Sequence, residues 1–250
     1  MLVDAKKGGS LNALLLMMFA FFTSLLTAVV GLGGGLILIA LMPGLLPPVA
    51  IIPIHAATQL VSNSSRAVFA WRDIRWEYTL SFLGGSLVGG LLAAKIATLI
   101  NLAYLPLLIA GFILFNVWGG GVNFQRSPKG EFLTIGFMQT GMGMLSGATG
   151  PLAQSTLVRK GLGRDEIVAT SSVFMSITHL TKLVLFGFIG FRFADYWQVT
   201  LAMVSAVIAG TWVGTQVRHR VPDQRFQAIL KWLLTLLAVR IIVETLFAIP

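Results

Sequence analysis

Eight stretches of the chain are apolar over the roughly 20 residues that a membrane-crossing helix requires: 11–42, 48–71, 77–98, 101–119, 131–158, 165–190, 196–217 and 226–249. The first and fifth are too long for one straight helix, and both contain a glycine-rich interruption. Helix breakers fall where connections are required. Pro43, Gly44, Pro47 and Pro48 separate the first two stretches, and Gly119 to Gly121 with Ser127-Pro128 separate the fourth from the fifth. The pattern predicts an all-α, polytopic integral membrane protein of about eight transmembrane helices, with helices 1 and 5 broken. The apolar run after MLVDAKKGGS ends without a small-x-small cleavage site, which predicts a retained first helix and not a signal peptide.

The two halves of the chain look alike. Gly31 in VGLGGG and Gly147 in SGATGP lie 116 positions apart (147 − 31). Ala57-Thr58 and Ala169-Thr170 lie 112 apart (169 − 57), and Trp76 and Trp197 lie 121 apart (197 − 76). Similar offsets predict a duplicated four-helix unit: residues 1–120, a polar connecting loop over 121–130, and residues 131–250. Four crossings per unit make such repeats parallel. An even total puts both ends of the chain on one side of the membrane, expected to be the cytoplasmic side. The basic residues do not test this: seven fall on each predicted side, which is silent under the positive-inside rule.

Composition sharpens the class. Hydrophobic residues make up 56% of the chain and charged residues 11%, against roughly 25% charged in soluble domains. The net charge of +9 lies almost wholly between the apolar stretches. It reads as bilayer anchoring, with membrane lipid as the partner and no nucleic acid. Cysteine is absent, which removes disulfides, thiolate metal sites and a cysteine nucleophile. The nine acidic residues all fall at or near predicted span ends, and no H-E-x-x-H motif occurs. An enzyme or a carboxylate-based cation pump would need what is missing here. No cofactor, metal or oligomerisation signal is present.

Cations, by contrast, sit inside the spans. Arg66 follows Asn63, Ser64 and Ser65 in the second stretch, and Lys182 follows Thr178, His179 and Thr181 in the sixth. Lys182 precedes Gly190 by eight residues, so it lies roughly 12 Å deep at 1.5 Å per residue. A charge at that depth must face protein, water or a counter-ion. With no acid at similar depth, a transported small anion supplies the missing negative charge. The alternative is that both cations snorkel to the interface in a non-transporting scaffold or accessory subunit.

Gly33, Gly34 and Gly35 break the first stretch, and Gly147 and Gly150 with Pro151 break the fifth. Broken helices leave N–H groups that attract anions. In a membrane they are tolerated where protein or a cavity encloses them. For Gly84, Gly85, Gly89, Gly90, Gly210 and Gly214, close helix packing is the better account. Thr58 and Gln139 complete the set of intramembrane polar candidates for substrate binding; His179 is also a candidate proton relay.

With Gly31-x-Gly33-Gly34-Gly35, then Pro43 and Pro48, Ala57-Thr58, the hydroxyl-rich 62–65 segment and a basic turn ending in Trp76, the chain resembles the sulfite exporter TauE/SafE family. The pattern partly recurs at Ala169-Thr170-Ser171. The resemblance implies a bacterial inner-membrane protein with two related halves of several helices, and the export of sulfur-containing anions such as sulfite or organosulfonates. Two departures lie near the implied pathway: Ser146 to Pro151 replaces a second glycine run, and Gln59 follows Thr58 where serine is common.

Overall fold

The computed structural model describes residues 4–30, 33–119, 130–149, 152–217 and 223–248. Among them are ten α-helices: α1 (Asp4–Val30), α2 (Gly34–Leu41), α3 (Pro48–Phe69), α4 (Thr79–Ala97), α5 (Leu105–Trp118), α6 (Glu131–Ser146), α7 (Leu152–Arg159), α8 (Arg164–Phe188), α9 (Trp197–Val217) and α10 (Asp223–Ala248). Leu11–Val30, Trp76–Ala97, Arg164–Phe188 and Phe193–Gln216 are long and apolar enough to cross a membrane by length and composition. Large apolar side chains such as Leu80, Phe188 and Phe247 point outward, as lipid contact allows.

The two long stretches break where the glycines fall, but neither continues onward. Each folds back. Gly34, at the start of α2, packs so closely on the Thr23 carbonyl and the Thr27 hydroxyl that a Cβ there would collide with both. Just beyond α2, the Leu45 carbonyl accepts a hydrogen bond from Asn12 Nδ2 at 3.4 Å, early in α1. The second pair closes in the same way. At the end of α7, Arg159 Nη2 and Lys160 Nζ lie 2.8 Å and 3.3 Å from the carboxylate of Glu131, the first residue of α6. Gly33 (φ +94°) and Gly147 (φ +84°) supply left-handed backbone at the two breaks, a conformation costly for any residue with a Cβ.

Fold-back changes the topology. Each helical hairpin returns to the face it left, so only three further helices of each half complete the crossing. The expectation of parallel halves is therefore replaced: the second half runs in the opposite direction to the first. Helix packing agrees. Gly85 and Gly89 of α4 meet the carbonyls of Leu133 and Phe137 of α6, and Gly210 and Gly214 of α9 meet those of Phe21 and Leu25 of α1. Residue numbers rise together in both pairs, so each pair runs parallel. That direction requires α1 and α6 to start at opposite faces.

The faces consequently differ in charge. The face where α1 begins and α10 ends (the first face) carries Lys6, Lys7, Lys95 and Arg192. Among the described residues, the helix ends and turns at the second face hold Arg72, Arg75, Arg159, Lys160, Arg164 and Arg225. Four against six replaces the even division expected from eight simple crossings.

Small residues hold the parallel pairs together, because without a hydrophobic drive in lipid helices associate through close backbone packing. Gly84, by contrast, faces open space and has no packing role. We therefore expect Gly85→Ala to destabilise the fold by about 2 kcal/mol through overpacking, with Gly84→Ala within about 0.5 kcal/mol of the parent. Thermal unfolding in detergent micelles measures both; equal effects would disprove the close α4–α6 contact.

Candidate functional site: a cationic cavity between the hairpins

α3 is rich in polar residues for a central helix, and they are ordered. His55, Gln59, Asn63 and Arg66 follow at spacings of four, four and three, which stacks them on one face of a helix. All four side chains are buried. Arg66 Nη2 donates to Asn63 Oδ1 at 2.6 Å, and Arg66 Nε donates to the Ser62 carbonyl at 3.3 Å. Asn63 Nδ2 in turn donates to the Gln59 carbonyl at 2.7 Å. The amide thus aims the guanidinium and is itself fixed by its own helix.

At the other end of the stripe, His55 Nε2 lies 2.9 Å from the Gly35 carbonyl of the first break. A carbonyl only accepts, so Nε2 carries the proton in this contact. His179 of α8 stands opposite, with ring centroids 5.7 Å apart and planes at 68°. Neither ring nitrogen of His179 has a hydrogen-bond partner among the described residues.

These residues line a cavity of about 440 Å³. Gly33, Gly35 and Ala148 bring both hairpin breaks to its wall, and Leu36, Val117, Leu230 and Leu234 make one side apolar. Asn116 near the end of α5 and Lys231 in the early turns of α10 place its mouth towards the second, basic face. Lys231 Nζ sits 3.7 Å over the Trp118 ring. Among the described residues, the charged groups lining the cavity are Arg66 and Lys231, both cationic, with no acid among them. No cluster of three His, Asp or Glu side chains among the described residues is placed to hold a metal. The chemistry on offer is desolvated positive charge and hydrogen-bond donors beside an apolar wall.

A family model described as Sulfite exporter TauE/SafE matches residues 16–241. The chain belongs to this family. It is a multi-pass membrane transport protein. No curated protein and no solved structure matches it.

The structure sorts the sequence candidates of this TauE/SafE protein. Gly33, Gly35, Asn63, Arg66 and His179 line the cavity. Gly34 is used in packing against α1. Thr58 bonds back to the Ile54 carbonyl. Ser64 donates to Ser176 across α3 and α8 at 3.1 Å, and Ser64 and Ser65 border a shallow surface depression with Val68 and Phe69. Gln139 donates to Thr178 at 3.3 Å and Thr140 lies 3.2 Å from Thr178. Thr181 lies 3.4 Å from Ser86. Lys182 is fully buried, with Nζ donating to the Gly147 carbonyl at 2.6 Å. Gly150 lies outside the described residues.

The site candidates named from the sequence include neither His55 nor Gln59. The four-four-three spacing back from Arg66 could have found both. Asn63 positions the guanidinium, and hydrogen bonds to charged groups contribute about 1.5–3 kcal/mol. Asn63→Ala should therefore weaken binding of a sulfonate probe about ten-fold by isothermal titration calorimetry, with Ser65→Ala unchanged; an unchanged Asn63→Ala would remove Arg66 from the site.

Proposed function

We propose that this protein exports a small sulfur oxyanion or organosulfonate through the cavity between its two hairpins. The observation that carries the proposal is Arg66: a guanidinium 7% exposed, lining a cavity that contains no acidic side chain among the described residues. An anion about 4 Å away would gain about 4 kcal/mol at an effective dielectric of about 20. A sulfonate or sulfite presents three oxygens on a tetrahedral or pyramidal sulfur, two of which can face the guanidinium fork. The neighbouring apolar wall accommodates the carbon body of an organosulfonate.

Charge supports the direction. Cytoplasmic loops are enriched in Lys and Arg, so the more basic second face is assigned to the cytoplasm. This places the start of α1 on the outer side of a bacterial inner membrane, opposite to the orientation expected from the sequence. The cavity mouth then faces the cytoplasm, where an exporter loads. The two halves, residues 1–120 and 131–250 joined by 121–130, are assigned as an inverted repeat about an axis in the membrane plane. Their opposite directions and paired glycine contacts support that assignment.

Flux into or out of proteoliposomes tests the cargo, with sulfite, sulfoacetate, taurine and chloride compared. Sulfur anions should move well above empty vesicles, chloride should not, and Arg66→Gln should reduce flux at least ten-fold. Absence of flux for every sulfur anion, or full flux with Arg66→Gln, refutes the proposal.

A further inference from the structure

The two central helices carry the same stripe. On α8, Ser171, Met175, His179 and Lys182 repeat the four-four-three spacing of His55, Gln59, Asn63 and Arg66, each 116 positions later (182 − 66). Buried hydroxyl contacts repeat with it. Ser24 lies 2.9 Å from Ser62 and 2.6 Å from Thr211; Thr140 lies 3.2 Å from Thr178 and 2.6 Å from Ser86. Ser24 to Thr140 and Ser62 to Thr178 are again 116 apart (140 − 24 and 178 − 62). Lys182 is thus the counterpart of Arg66, in a half of opposite direction.

Their surroundings are not alike. Arg66 lines the open cavity, whereas Lys182 is sealed, with the Gly147 carbonyl as the recorded partner for one of its three donors. A Cβ at Gly147 would meet Ile39 and Ile52 at 2.7 Å and 3.5 Å. Ile52 also lines a second cavity of about 510 Å³ with Met144 and Phe186, beside the helix ends of the first face. Leu145 lines this cavity and Ala148 the first, so the Gly147 break, with Lys182, Ile39 and Ile52 against it, stands between the two. Within that half, Thr149 Oγ1 and Ser171 Oγ are buried without a hydrogen-bond partner among the described residues. They are the counterparts of Gly33 and His55 (149 − 33 and 171 − 55, both 116), which line the open cavity. Buried unpaired polar atoms are costly. They gain partners if water or an anion reaches them.

We infer that the chain alternates between this form and a second form open to the first face, in which the two halves exchange conformations and Lys182 leaves Gly147 to line the opened site. Lys182 is thus the cation that latches the present form and faces the anion in the other, while Arg66 is withdrawn towards the carbonyl end of α1. This rests on the transport reading above, but its test needs no substrate.

Because the chain lacks cysteine, single cysteines report accessibility without background. Asn116→Cys, at the mouth of the open cavity, should react with a membrane-impermeant methanethiosulfonate from the basic face. Thr149→Cys should react only from the first face and at least ten-fold more slowly. Adding Lys182→Met should speed Thr149→Cys labelling at least five-fold and slow that of Asn116→Cys, while Lys182→Arg should keep the parent pattern. Labelling of Thr149→Cys from the basic face overturns the inference, as does no labelling from the first face. Rates unchanged by Lys182→Met do so too. If Lys182→Met fails to fold, the face that labels Thr149→Cys beside native Lys182 decides. Two-faced accessibility without flux would remove the cargo and keep the alternation; flux with accessibility from one face would do the reverse.

Discussion

A backbone break at membrane depth exposes N–H and C=O groups that lipid cannot satisfy. Both breaks of this chain obey that constraint by folding back, so that protein encloses them. The first break turns at Gly33 and presents the Gly35 carbonyl to His55. The second turns at Gly147 and presents its carbonyl to Lys182. The same enclosure forms the cavity, because two short helices, α2 and α7, occupy only part of the membrane depth and leave space beyond their tips. Cavity, central helices and inverted direction all follow from hiding two interrupted backbones.

Charge follows from the same geometry. Arg66 lies near the second-face end of α3 and Lys182 near the first-face end of α8. In the proposed transport, one cation serves each side. No acid stands among the described residues lining the cavity beside Arg66, and the carbonyl of a hairpin tip holds Lys182 in its place. Glu131, the carboxylate buried at the start of α6, is satisfied by Arg159 and Lys160 and staples a hairpin instead of lining the path.

Much of the site was legible in the sequence, though unevenly. Arg66, Asn63 and His179 stood out because charge and large polar groups are expensive in a span. His55 and Gln59 did not, because a single histidine or glutamine carries little signal until its helical spacing to Arg66 is considered. Thr58, Ser64, Gln139 and Thr181 carried the right polarity but the wrong face. Helix rotation turns them into interhelical contacts, and rotation is set by packing partners that are distant in the chain.

The sequence by itself determined the helical membrane class, the positions of both breaks and the cations within the spans. Lipid solvation imposes those on local composition and length. Only the tertiary structure decided that each broken helix reverses. Glycine permits a reversal without specifying its direction, which is fixed by contacts such as Asn12 with Leu45 and Glu131 with Arg159. From that reversal came the opposed halves, the basic face, and the unequal burial of Arg66 and Lys182.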